Sequence, residues 1–449
     1  PACLCLLFLF PVFSIHRCAA HGILKPLDQG ACMTHRERIL AALNHKEPDR
    51  IPIDCGSMRS TGIMGMPYNT LKRHLGINTG VTKMYDMVQQ LAIPEQWYLD
   101  RFGIDCVDLA RAFSDTDADW IPWRLPDGSS ALRPSWVPLE FIGDTWLCKN
   151  EAGLVLGKMS PSLVYFTQTH HPLAGSETED FRDLRTLLGH TIWGSVADPA
   201  WRHAGSPDFA QLLRQKALEL RNTTDYAIMF GIGCNLFEYG QYLYGSENFL
   251  INLLLEPLKV EKLLDSLLEI HLETIEKVVS AIGDIVDILV FGDDLGSQNS
   301  TLISHNLYRR FIFPRQQTMF SRVHARCQAK VFLHSCGAVS DFIPDLIEAG
   351  VDILNPVQLG AQGMDPVRLK RDFGRDLVFW GGGIDTQHVL ATGTPEQVRS
   401  EVIRNCEIFN RDGGFVFNQV HNIVEGVPPQ NIVAMYDAVL EPLVLAQYT

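Results

Sequence analysis

The chain holds 449 residues, enough for one domain of roughly 250 residues with additions or for two of medium size. Hydrophobic residues at 46% and charged residues at 20% support a sizeable core and exclude wholesale disorder. Lys and Arg number 38 against 52 Asp and Glu, a formal charge of -14 without any Lys/Arg run, which argues against nucleic acid as a partner.

In chain order, residues 4–15, LCLLFLFPVFSI, form an apolar run too short for a membrane span. Residues 1–32 read as a non-native or dispensable extension, with an export signal as the alternative. No later stretch is long and apolar enough to span a membrane, so none is expected as a partner. From Met33 the segment MTHRERILAALNHKEPDRIPID reads as a helix start, with Thr34 as N-cap, Glu37 as its capping-box partner, and Ile39, Leu40 and Leu43 on one face. Residues 50–175 are rich in Trp, Pro and turn signals. There, Thr145–Cys148 and Leu154–Lys158 read as a hairpin that turns at Gly153, part of a β-rich lid or surface layer. The eleven cysteines show no CxxC spacing and are expected to be reduced thiols of a cytoplasmic protein.

From about residue 224 short apolar strands alternate with amphipathic helices. Strands are predicted at 226–233, 287–296, 329–337, 352–358, 377–385 and 414–421, and helices at 247–256, 259–281, 304–327, 339–349, 395–410 and 428–441. Near-continuous apolar strands followed by helices imply a parallel sheet with both faces covered. With RIPIDCG (50–56) and GIDCVDLA (103–110) as earlier strands, the pattern predicts an α/β fold, a (βα)8 TIM-like barrel with an N-terminal α/β extension. Residues 33–215 form the extension and first barrel elements with the β-rich insert, and residues 216–449 the main part of the barrel. In such a barrel the polar residues at strand C-terminal ends meet at one mouth.

The strand AKVFLHSCG places His334 and Cys336 at i and i+2, hence on one face at the mouth. A nitrogen and a thiolate suit zinc, and His421, ending GFVFNQVH, is the candidate third ligand; three ligands leave a fourth position open for chemistry. A buried histidine bonded to a backbone carbonyl beside an inert cysteine is the alternative reading of the same pair.

HSCGAVSDFIPDLIEAGVDILNPVQ (334–358) resembles the uroporphyrinogen decarboxylase superfamily, most closely its cobamide-dependent methyltransferase branch, in which an HxCG strand end supplies two zinc ligands. The segments 36–54, 291–300 (FGDDLGSQNS), 379–390 (FWGGGIDTQHVL) and 420–439 (VHNIVEGVPPQNIVAMYDAV) fit the same superfamily. The resemblance implies a barrel, a zinc ion, and methyl transfer between a small O-methyl or thiol substrate and a corrinoid. With no DxHxxG-type signature in this chain, the corrinoid is expected on a separate protein.

Two departures sharpen that expectation. The decarboxylases resemble one another in an early RQAGRY-type arginine segment, whereas 51–65 here holds only Arg59, so porphyrinogen decarboxylation ranks second. A non-catalytic subunit of a methyltransferase complex is a third reading. In the thiol-methylating members the third ligand resembles a cysteine, whereas here it is His421. A His-Cys-His set leaves zinc with a formal positive charge, which favours polarising an O-methyl donor over activating a thiolate.

Other mouth residues have assigned expectations. Asp293 and Asp294 are the candidate catalytic carboxylates, with a helix-capping role open for one of them. Glu238, Asn355, Gln358, Asp385 and Asn418 are the candidate substrate contacts. The glycines 381–383 look like a phosphate cradle or a loop turn, and His170-His171 reads as a solvated loop pair. No GxSxG elbow occurs.

Overall fold

The first described helix, α1 (His35–Leu43), forms because Thr34 and Glu37 cap it reciprocally: the Glu37 N–H donates to the Thr34 hydroxyl, and the Thr34 N–H donates to the Glu37 carboxylate at 2.9 Å. Its apolar face, Ile39, Ala42 and Leu43, is fully or almost fully buried and packs with Met229, Ile288, Phe332, Ile353, Val378 and Val416. Those residues line the inside of the central sheet, so α1 plugs one end of it. The computed structural model describes residues 33–160, 163, 165–196 and 199–441. The expectation for residues 1–32 lies outside the described residues.

The central sheet is parallel and runs in strict chain order: β1 (Cys106–Asp108), β2 (Ala227–Gly233), β3 (Ile288–Gly292), β4 (Lys330–His334), β5 (Ile353–Asn355), β6 (Val378–Trp380) and β7 (Phe415–Val416). Its two edges meet on the segment 52–54. Ile53 makes parallel bridges to both Ile104 and Phe417, the Asp54 N–H donates to the Phe417 carbonyl at 2.9 Å, and the Asp105 N–H donates to the Ile53 carbonyl at 2.8 Å. An eighth, very short strand thus closes the ring, and the predicted barrel is what the chain forms. Helices α2 (Phe237–Tyr244), α3 (Ser246–Leu255), α4 (Pro257–Ile282), α5 (Phe313–Arg326), α6 (Ile343–Ala349), α7 (Pro395–Phe409) and α8 (Pro429–Leu440) follow the strands.

The regular pairing is shorter than predicted at the strand ends, because the chain leaves the ladder where its polar residues turn into loops. The continuous helix expected over 304–327 is broken: a π turn at Tyr308–Ile312 precedes α5. Pro314 lacks an N–H and its ring would clash with the carbonyl four residues back, and the wider turn relieves both. The hairpin appears as Thr145–Lys149 paired with Val155–Met159, turning where Gly153 takes φ +80°, within a four-stranded antiparallel sheet completed by Leu139–Ile142 and Thr167–Gln168. His171 is half-buried rather than solvated. Its Nδ1 lies 3.0 Å from the Tyr242 carbonyl, which ties the insert to the end of α2. Among the described residues no helix is long and apolar enough to cross a membrane.

Candidate metal centre

Along β4, Phe332 points into the barrel interior while Val331 and Leu333 pack outward. Alternation then puts His334 on the inner face at the mouth, two residues beyond Phe332. Its Nε2 lies 3.4 Å from the Cys336 sulfur. His421 comes from the loop after β7 with its backbone in the left-handed region, φ 63°, an uncommon conformation for a non-glycine residue that aims the ring at the mouth. The two imidazoles meet edge to face, with centroids 5.6 Å apart. One donor atom from each of His334, Cys336 and His421 falls within 4.8 Å of the others. A tetrahedral zinc with bonds of about 2.0–2.3 Å separates its ligands by about 3.3–3.8 Å, so these three donors fit such an ion and a small inward movement would seat it.

The surroundings prepare these donors. His334 Nδ1 lies 2.6 Å from the Asn355 side-chain oxygen, and the Asn355 amide nitrogen donates to the Trp380 carbonyl at 2.8 Å. That second bond orients the amide, so Nδ1 carries the proton and Nε2 keeps its lone pair for a metal. Burial and the neighbouring His334 hold His421 neutral, down to about 3. Burial, then Asp294 and Glu238, push the Cys336 thiol well up, a proton that a divalent cation would displace. Gly337, at φ +87°, completes the HxCG pattern because a Cβ there would sit 2.5 Å from the Gly296 backbone.

The two histidines of the triad open on a cavity of about 700 Å³, lined with them by Asp294 and Glu238 on the barrel side. Asp294 Oδ1 accepts the Cys336 N–H at 2.8 Å and stands 3.6 Å from His334 Nε2. Glu238 accepts from the Tyr242 hydroxyl at 2.6 Å, and burial, then Asp294 and Asp293, raise it to about 8.

The remaining expected site residues are engaged elsewhere. Asp293 is not at the cavity: it is 1% exposed and accepts the N–H groups of Leu236 (3.3 Å), Phe237 (3.1 Å) and Glu238 (2.9 Å), which caps α2. Asn355 is fully buried and serves His334 rather than a substrate. Gln358 accepts the Gly337 N–H at 2.9 Å and donates to Gln298 at 2.7 Å, so it braces the loop of Cys336. Asp385 closes its own turn onto the N–H groups of Gln387 and His388 at 2.7 and 3.1 Å. Asn418, buried, donates to the Asp54 carbonyl at 3.1 Å and joins the segment that closes the barrel. The glycines 381–383 form no cradle, since their N–H groups donate to the carbonyls of Val416, Pro356 and Asn418.

Residues 236–442 match the uroporphyrinogen decarboxylase (URO-D) family. That stretch is a URO-D-family domain. A methyltransferase from Methanosarcina mazei has the same overall fold, with a TM-score of 0.51 and 16% identity over 90% of this chain and 98% of that one. An endo-1,4-beta-xylanase from Caldicellulosiruptor owensensis gives a TM-score of 0.25 at 12% identity over 39% of this chain and 69% of that one. No curated protein sequence matches the chain.

Strand ends and loops between 231 and 421 supply the barrel side of the cavity, and the insert with the segment after it supplies the opposite wall, which sequence reasoning missed. Tyr165, Phe166, Trp193 and Trp201 line it from the insert and the segment after it, and Arg59 lies 5.2 Å over the Trp193 ring. Trp201 is held by its Nε1–H donating to the Gly231 carbonyl at 2.8 Å. The only sequence signal was the density of tryptophans over 50–175, and Trp193 and Trp201 lie beyond that stretch.

Proposed function

We propose that this chain is a zinc-dependent methyltransferase that moves a methyl group between a small O-methyl substrate and a corrinoid carried by a partner protein. The observation that carries the reading is the meeting of His334, Cys336 and His421 donor atoms at the head of a cavity of ligand size. A zinc ion held by these three would supply Lewis acidity to the heteroatom that the methyl group leaves. The chain's own residues do the rest. Asn355 keeps His334 in the tautomer that leaves Nε2 free. Asp294 holds the Cys336 loop and offers its carboxylate at the cavity. The rings of Tyr165, Phe166, Trp193 and Trp201 exclude water and offer flat apolar surface to a small organic donor. The cavity lining includes Arg59 as its arginine against Asp108 and Asp294, which disfavours a tetrapyrrole with many carboxylates. The seven described cysteines are free, in keeping with a reducing, cytoplasmic setting.

The test uses zinc-loaded protein with cob(I)alamin as acceptor and a panel of methoxylated compounds, alongside the reverse transfer from methylcobalamin to thiols. Methylcobalamin is expected to form from methoxylated donors. Turnover with thiols only would contradict the reading.

A further inference from the structure

One position on the barrel side of the cavity has no side chain, and the fold does not require that. Gly231 stands inside β2, where a glycine weakens the strand because it packs nothing and loses more backbone freedom on folding than any other residue. Its backbone is not in the left-handed region, unlike that of Gly233, at φ +75°, which follows the irregularity in the pairing of β2 with β3. Packing does not call for the glycine either. A Cβ at Gly231 would meet no atom of the described residues within 4 Å, whereas one at Gly240 would sit 2.2 Å from the Phe249 ring.

The space left open belongs to the cavity. Along β2, Ile228 and Phe230 pack outward while Met229 faces the barrel interior, so alternation turns Gly231 inward at the mouth. Gly231 lines the cavity beside Val290, its partner on β3, and Asp108, the last residue of β1. Because β1 stops at Asp108, opposite Met229, the edge of β2 beyond it is open, and Trp201 takes that edge through its bond to the Gly231 carbonyl at 2.8 Å. An indole thus rims a patch of bare backbone. A strand glycine with neither a turn nor a packing contact to justify it marks a close approach by another group, and at a cavity wall that group is the ligand. Bare peptide beside an indole suits a thin, flat ligand, since any side chain at 231 would hold the ring off the backbone.

We infer that Gly231 is a specificity-determining residue: its missing side chain leaves the slot in which the aromatic ring of an aryl methyl ether lies against the β2 backbone, with Trp201 at the rim. The inference rests on the O-methyl reading above and narrows it to aryl ethers. Gly231 makes and breaks no bond in the transfer. It acts by leaving room, so a methyl group there encroaches on the ring and an isopropyl group fills the slot.

The experiment compares full-length, zinc-loaded wild type, Gly231→Ala and Gly231→Val. Binding of phenol, the demethylated product of anisole, is measured by titration calorimetry with no corrinoid present. Turnover is read separately, as the ratio of kcat/KM for anisole to that for dimethyl ether with cob(I)alamin as acceptor. Phenol affinity is expected to fall about tenfold at alanine and further at valine, and the ratio to fall in parallel. Zinc content and melting temperature check the fold, and Gly231→Ala should lower neither, since its Cβ meets no neighbour. Should the valine variant fail to fold, the alanine variant decides alone. Phenol bound equally by wild type and Gly231→Ala, phenol bound by neither, an unchanged ratio, or loss of zinc or stability in Gly231→Ala overturns the assignment. Wild type that binds phenol but demethylates neither ether contradicts the O-methyl reading, while a graded loss of phenol binding in the variants would still place the ring at Gly231.

Discussion

The two walls of the cavity are built differently. The barrel wall comes from strand ends spaced along 227–421, where the pleat alternation and the parallel ladder dictate which side chain faces inward. The opposite wall comes from loops and short helices within 57–60 and 165–204, where side chains are placed by tertiary contacts such as the Trp201 bond to Gly231. The barrel wall holds the donors and carboxylates, and the other holds most of the large aromatic surface. Under the proposed function, the regular half would carry the chemistry and the irregular one the recognition of the substrate.

This division can be broken by mutations on either side. The largest effect is expected on the barrel wall from Asn355→Ala, which frees the His334 ring to reorient. Metal affinity should fall about 10- to 100-fold, measured by competition with a chelator, while the fold is retained. On the other wall, Trp193→Ala should leave zinc binding unchanged and raise KM for an aromatic donor about tenfold, as expected for lost apolar packing. If Trp193→Ala instead released the metal, the separation of roles would fail.

The smallest effect concerns stability against pH. Glu238 lies at about 8 in the folded protein against an ordinary value of 4.5, so the folded state holds a proton that the unfolded chain gives up. Its contribution is fully present below about 4.5 and is lost as pH rises through about 8. Zinc-free wild type should therefore lose melting temperature across that range, and Glu238→Gln should show a flatter profile by calorimetry. A profile unchanged by the substitution would mean that the carboxyl ionises freely.

How far the site was legible follows the same divide. His334 and Cys336 could be read because two-residue spacing at the end of an apolar strand has only one geometric meaning at a barrel mouth, and His421 because it closes the apolar run that holds β7, although it stands in the loop beyond that strand. Asn355, Gln358, Asp385 and Asn418 also end strands, yet none lines the cavity. Strand ends leave backbone N–H and carbonyl groups that need partners, and these side chains supply them or steady a ligand. Asp293 and Asp294 are adjacent, and alternation alone says that they point apart. Which of them faces the cavity depends on α2 arriving over the barrel, a long-range event that local pattern does not encode. Trp193 and Trp201 lay beyond reach for that reason. The barrel itself was readable because strand–helix alternation repeats, although the eighth strand contracts to the bridges of Ile53.

The most direct test of the account is zinc K-edge X-ray absorption on the purified protein, wild type beside Cys336→Ser. The wild type should retain about one zinc per chain, with one sulfur at about 2.3 Å and two imidazole nitrogens at about 2.0–2.1 Å, and the variant should lose the sulfur shell. A wild-type protein that retains no zinc, or holds it with nitrogen and oxygen alone, would contradict the claim.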